Sequence, residues 1–268
     1  MQEQRQPSPR YIPQTDWRHT LLLTVVFGSL AFMLAMQPIA QDQAYHHFAD
    51  QLAILGIPNF FDVISNIPFL LVGIAGLGFC RGSRLTGYRP AWVTFFAGVA
   101  IIGAGSSWYH LNPNNDTLVW DRLPMTIGLM GLLVALLAEY VHARLGGFLL
   151  VPAILTGLSS VLYWHWYDDL RFYVWIQFMP LLIIPVLMAL FRPKYSRQNL
   201  LLVALSFYIL AKFLEGYDRE VYVFTRGIFS GHTLKHLAAA LGCYTVLLML
   251  RVREPIDTSA NHGRTSHE

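Results

Sequence analysis

The stretch SSWYHLNPNNDTLVWDRLPM, residues 106–125, carries Ser106, His110 and Asp121 between two long apolar runs. A connecting loop there needs only the polar turn NPNND, so these three side chains call for a chemical explanation. A second stretch, GHTLKHLAAA, opens the last apolar run with His232 and His236. At i, i+4 their Cβ atoms share one helical face, about 6 Å apart. Two imidazoles at that spacing chelate one metal ion in the HxxxH helices of zinc enzymes. The pair alone equally describes two interface histidines without a ligand, but ionisable groups inside apolar spans are expensive and mark functional positions. A catalytic zinc takes three protein ligands and keeps one position open, and His110 is the natural third donor. Ser106 lies one turn before His110 on the same face, where its hydroxyl can point to the open side of such a metal. The plainer reading is a helix serine bonded to a backbone carbonyl. Asp121 reads either as a cap at the positive end of a helix or as a general base beside an activated water. Pro124 fits the first turn of that same helix.

The elements that must position these residues follow from composition. Of 268 residues, 54% are hydrophobic and only 13% charged, about half the charge of a soluble domain. Repeated apolar runs of at least about 17 residues then specify an all-α integral membrane protein. The windows fall at about 20–40, 60–80, 91–111, 118–139, 148–165, 172–191, 199–215 and 231–250, eight spans in all. Placing both termini in the cytoplasm puts thirteen Arg and Lys residues on that side against about four opposite, a strong positive-inside bias. Residues 1–19 are then a cytoplasmic segment, 20–40 an additional transmembrane helix serving as a retained signal anchor, and 252–268 a polar, disordered cytoplasmic tail. His110, Asp121 and His232 come to one depth, near the non-cytoplasmic face.

The remaining signals are structural. Cys80 and Cys243 lie in spans as thiols, without a disulfide framework. Lys212 and Glu215, at i, i+3, form an ion pair. Trp108, Trp120 and the run from Tyr163 to Tyr167 suit an interfacial aromatic belt. Small residues in GVAIIGAGSS allow close helix packing. His46, His47 and His165 are expected solvated in outer loops, and His19, His142, His262 and His267 on the cytoplasmic side or at the terminus. No nucleotide loop, nucleic-acid signature or internal repeat is present.

In order along the chain, SxxxH, an Asp eleven residues later and HxxxH opening the last helix resemble the alkaline ceramidases. That family belongs to a superfamily of seven-helix membrane hydrolases that includes adiponectin and progestin receptor-like proteins. The resemblance runs from about Asn59 to Arg251, a seven-helix domain over 59–251 with the span at 20–40 added in front. NFFDVISN is similar to the family's first core helix, with Ser65 and Asn66 matching its polar pair. The resemblance implies that His110, His232 and His236 bind Zn2+, Ser106 steadies an oxyanion and Asp121 moves protons. It also implies a membrane-borne substrate, ceramide or a related N-acyl lipid, cleaved to a fatty acid and a long-chain base.

Eukaryotic members carry an acidic cluster before the first core helix that resembles a Ca2+ site. Here AYHHFADQLAILGIPNFFD offers only Asp50, Gln51, Asn59 and Asp62, with Asn59 where those members have Glu, and this counts against Ca2+. Together with the short loops and YDDLRFYVWIQFMP it brings the chain closer to prokaryotic members, which implies a bacterial inner membrane with the zinc site near the periplasmic face. Two other readings stay open: a receptor-like or scaffolding protein with structural zinc, and a haem protein ligated by His110 with His232 or His236.

Overall fold

The structure, a computed structural model, describes residues 16–256; the expectations for residues 1–15 and for the tail beyond 256, with His262 and His267, lie outside it. The helices are α1 (Trp17–Ala35), α2 (Phe60–Ile64), α3 (Ile67–Arg81), α4 (Arg89–Leu111), α5 (Asn115–Tyr140), α6 (Arg144–Tyr167), α7 (Arg171–Leu190), α8 (Leu200–Gly216), α9 (Asp218–Phe224) and α10 (Gly231–Val252). A short 3-10 turn covers Gln43–His46, and no strand occurs among the described residues. Seven spans have the length and hydropathy to cross a bilayer, with α2 and α3 counting as one, and the number is eight if α8 with α9, bent by 83°, is counted as one span. The chain is an all-helical, multi-pass membrane protein.

Local chemistry explains the breaks. The first core span is interrupted at Ser65 and Asn66. Pro68 has no N–H to offer the turn before it, and the Ser65 hydroxyl and Asn66 Nδ2 both donate to the Asp62 carbonyl, at 3.1 and 2.9 Å. α5 begins earlier than its apolar window. Asn114 caps it by accepting from the backbone N–H groups of Asp116 and Thr117, and Thr117 answers by accepting from the Asn114 N–H. Asp121 therefore lies in the second turn and Pro124 inside the helix, not at its start as the apolar pattern implied. Strong capping outweighed hydropathy there.

Pro124 also leaves the Trp120 carbonyl without its intrahelical donor. α4 closes on that spot: a Cβ at Gly105 would collide with the Trp120 carbonyl, and one at Gly98 with the Gly128 backbone. The small residues of GVAIIGAGSS do pack two helix backbones together, as expected, and so bring Ser106 beside Asp121. Away from this end the bundle is filled by Trp92, Phe96, Leu136, Ile183, Leu187 and Leu247, all 1% exposed or less. There a buried ion pair, Arg253 Nη1 to Glu139 Oε2 at 2.8 Å, ties the end of α10 to α5.

α1 ends at Ala35, five residues short of its window, and residues 36–59 form a strap across the His110 end of the bundle. Carboxylates hold it down. The Gln41 N–H donates to Asp168 at 2.9 Å, the Ala49 N–H to Asp218 at 2.8 Å, and the Phe61 N–H to Asp50 at 2.8 Å. Arg171 reaches back to the Leu34 and Met36 carbonyls at 3.1 and 2.6 Å, and its guanidinium holds the Asp169 carboxyl below the ordinary range.

A candidate metal centre facing an intramembrane cavity

Two helices deliver the histidines. His110 lies in the last turn of α4, and His232 and His236 in the first turns of α10. α10 is set in place by its N-cap Ser230, whose hydroxyl donates to Asp62 Oδ1 at 3.0 Å, and by Thr233, which donates to the same oxygen at 2.6 Å. The His232 N–H donates to Asp218 at 2.7 Å. Gly231 is required there, since a Cβ would collide with the Leu214 carbonyl of α8.

The three rings converge, with centroids 4.8 to 5.0 Å apart. All three are buried, and one ligand nitrogen from each lies within 4.8 Å of the others. Nitrogens around a tetrahedral zinc stand about 3.3 Å apart, so the three must draw closer to share one ion. The donor set fits such an ion. Ser65 Oγ stands 2.8 Å from His236 Nδ1, and since its own proton goes to the Asp62 carbonyl it accepts from Nδ1–H. That leaves His236 Nε2 unprotonated. Nδ1 of His110 has no partner, while Asn59 Nδ2 donates to the His110 carbonyl at 2.8 Å. His232 Nε2 accepts from Lys235 Nζ at 3.0 Å, and Glu215, 2.7 Å from that ammonium, retains it if a metal takes its place. Phe48 of the strap lies over the cluster, 4.6 Å from the His110 ring and 4.4 Å from the His232 ring.

His236, Ser106 and Asp121 face a cavity of about 300 Å3, and the Ser106 hydroxyl faces the Asp121 carboxylate. Near these residues the walls also carry Tyr45, Arg122, Glu215 and Lys235; deeper along the helices they turn apolar, with Phe95, Val99, Met125, Leu129 and Cys243. From Ser106 to Phe95 is three turns of α4, about 16 Å.

All five singled-out residues thus come to one place, Ser106, His110 and Asp121 from adjacent helices and His232 and His236 from α10. Ser65 and Asn66 support the site through the contacts above. The expected Lys212–Glu215 pair is present at 2.5 Å, but Glu215 also holds Lys235 and accepts from Tyr45 at 3.1 Å. Burial keeps the Tyr45 phenol well above its ordinary range, so it remains a donor. Lys235 reads in the sequence as a cation within a span and was given no role there, although an ionisable residue three positions after His232 was a usable signal. Phe48 carried none. His46 departs from its expected solvation: its nitrogens stand 2.8 Å from the Tyr109 hydroxyl and 2.9 Å from Asn115 Oδ1, because the strap folds inward. His165 ends α6 and is exposed, 3.8 Å from Asp116.

Among known families, the one described as Ceramidase matches residues 55–266. The chain belongs to the ceramidase family. A comparison with curated proteins finds no match. Family membership makes this a ceramidase-like membrane protein, and the histidine cluster is its candidate metal centre.

Proposed function

We propose that the protein is a zinc-dependent intramembrane amide hydrolase that cleaves ceramide or a related N-acyl lipid to a fatty acid and a long-chain base. The observation that carries this reading is the placement of Ser106 and Asp121 on the wall of a cavity whose far end is apolar and whose near end holds His236. A structural zinc site is closed by four protein ligands; the cluster among the described residues offers three, which supports a position open to substrate. When bound by His110, His232 and His236, the metal would supply Lewis acidity toward water and an amide carbonyl.

The protein's own groups supply the rest. Asp121 takes the proton of the attacking water and returns it to the leaving amine. The Ser106 hydroxyl donates to the oxyanion, a role often worth about 3–4 kcal/mol for a single donor. The acyl chain occupies the apolar length lined by Val99 and Phe95. A second apolar groove of about 680 Å3 between α1, α7 and α8 shares Val174, Phe178, Tyr208 and Lys212 with the cavity, which supports a substrate with a second chain. The prokaryotic setting and a site near the periplasmic face belong to the same proposal.

Fatty-acid release from N-acyl lipids in detergent micelles, with zinc measured on the same samples, tests it. Asp121→Asn should keep zinc and lose about 10² or more in turnover, and Ser106→Ala should keep zinc and lose turnover as well. Wild-type turnover by Asp121→Asn would exclude the proton-transfer role. A zinc-loaded wild type that releases nothing from any N-acyl lipid would favour a receptor-like protein with structural zinc, and a Soret band would favour haem.

A further inference from the structure

Arg122 has no counterpart in the hydrolytic scheme. It is 6% exposed, yet among the described residues no carboxylate lies within salt-bridge distance of it. Its Nη2 donates to Gln41 Oε1 at 2.7 Å, while Nη1 is buried without a partner. The guanidinium is clamped between Trp164 and Tyr173, 4.0 and 4.6 Å from their ring centroids. Cation–π contacts fix such a group but do not satisfy its N–H donors.

Arg122 also lines the cavity, one residue from Asp121. Three cations, Arg122, Lys212 and Lys235, face it against two carboxylates, Asp121 and Glu215. Glu215 is shared by both lysines, so the lining keeps one positive charge in excess, and among the described residues no carboxylate is bonded to Arg122. A buried guanidinium held rigid with a free N–H suits an oxyanion, which accepts charge-assisted hydrogen bonds.

Its position says which half of a substrate it meets. With the acyl chain along Val99 and Phe95 and the amide at Ser106 and Asp121, the amine half faces the polar end of the cavity, where Arg122 stands. We propose that Arg122 receives an anionic oxygen group, a carboxylate or a phosphate, carried by the amine half of the substrate, so that the enzyme prefers acidic N-acyl lipids over neutral ceramide. This rests on the N-acyl hydrolase reading for its substrate, though the anion site itself does not.

The test uses full-length zinc-loaded protein and three lipids with one acyl chain: neutral ceramide, its phosphate ester and an N-acyl amino acid. Wild type should turn over one acidic lipid at higher kcat/KM than ceramide, and which one distinguishes phosphate from carboxylate. Arg122→Gln should cut that preference about tenfold to a hundredfold, the scale of a lost hydrogen bond to a charged group, and Arg122→Lys should restore part of it. A parallel measurement without turnover uses metal-depleted protein: dodecyl phosphate should raise the thermal midpoint of wild type but not of Arg122→Gln, and dodecanol should raise neither. A wild-type preference for neutral ceramide, equal losses on acidic and neutral lipids in Arg122→Gln, or no response to dodecyl phosphate would each overturn the proposal. If Arg122→Gln does not fold, the wild-type preference and the dodecyl phosphate response decide. Response to dodecyl phosphate without hydrolysis of any lipid would remove the hydrolase reading and leave the anion site standing.

Discussion

Replacing Ser65 with alanine asks whether the histidine cluster is built to hold a metal or only packs. The Ser65 hydroxyl donates to the Asp62 carbonyl at 3.1 Å and stands 2.8 Å from His236 Nδ1. That chain of donors selects the His236 tautomer with Nε2 free and fixes the plane of the ring. Alanine removes both effects, and the imidazole must then either adopt the other tautomer or bury an unpaired N–H. Hydrogen-bond partners behind a metal-binding histidine are generally worth about 10- to 100-fold in metal affinity, or about 1.4–2.8 kcal/mol. Ser65 is 5% exposed, so little water can replace the lost bond, and the upper half of that range is expected. The assay is chelator competition for zinc on purified protein in detergent, beside thermal unfolding of the metal-free form. Ser107→Ala is the matched control. Its hydroxyl bonds only to the Val63 and Gly103 carbonyls, at 3.1 and 2.8 Å, as is common for a serine inside a helix, and zinc affinity should stay within about threefold of wild type. Unchanged zinc affinity in Ser65→Ala would refute the tautomer argument.

Other outcomes follow from the same geometry. Purified protein should carry about one zinc, and His110→Ala, His232→Ala and His236→Ala should each lose most of it, because a three-ligand site has no spare donor; full retention in all three excludes the cluster as the zinc site. A reporter fused after Arg253 should read cytoplasmic and one inserted near Asn114 should read external, from the placement of basic residues; the reverse would mean a miscounted span. The Asp169 carboxyl, lowered by its hydrogen bond from Arg171, contributes stability that is complete above its unfolded value near about pH 4 and lost as pH falls below it. Asp169→Asn should therefore flatten the fall in thermal midpoint in acid, and an unchanged acid profile would count against the link.

The spans were legible because a bilayer forces long apolar helices, and α4, α6, α7 and α10 match their windows to within a few residues. The ends were not, wherever a cap or a proline competes with hydropathy, as at Asn114 and Pro124. The histidine cluster was legible because His232 and His236 share a helical face, and because an ionisable group is conspicuous in an apolar run. Arg122 offers no such signal: a basic residue at a helix entrance is ordinary in sequence, and only the fold shows that Trp164, Tyr173 and Gln41 enclose it. His46 and Phe48 were illegible for a related reason. Their placement depends on carboxylates at Asp168 and Asp218, more than 100 residues away in sequence, and no local pattern announces it.

That strap gives α1 a role in building the site. The family match begins at residue 55, yet Gln41, Tyr45 and Phe48 precede it and complete the site: Gln41 holds Arg122, Tyr45 donates to Glu215, and Phe48 covers His110 and His232. The strap can lie there only if its start is fixed. α1 fixes it, through the Arg171 bonds to the Leu34 and Met36 carbonyls and through Trp175 Nε1 donating to Ser29 at 3.0 Å. α1 itself buries little, with Leu22 its one buried residue, so these polar ties carry its register against α7. The helix in front of the ceramidase core thus positions the side chains that close the cavity at its polar end, the end to which the proposed function assigns the amine half of an N-acyl lipid.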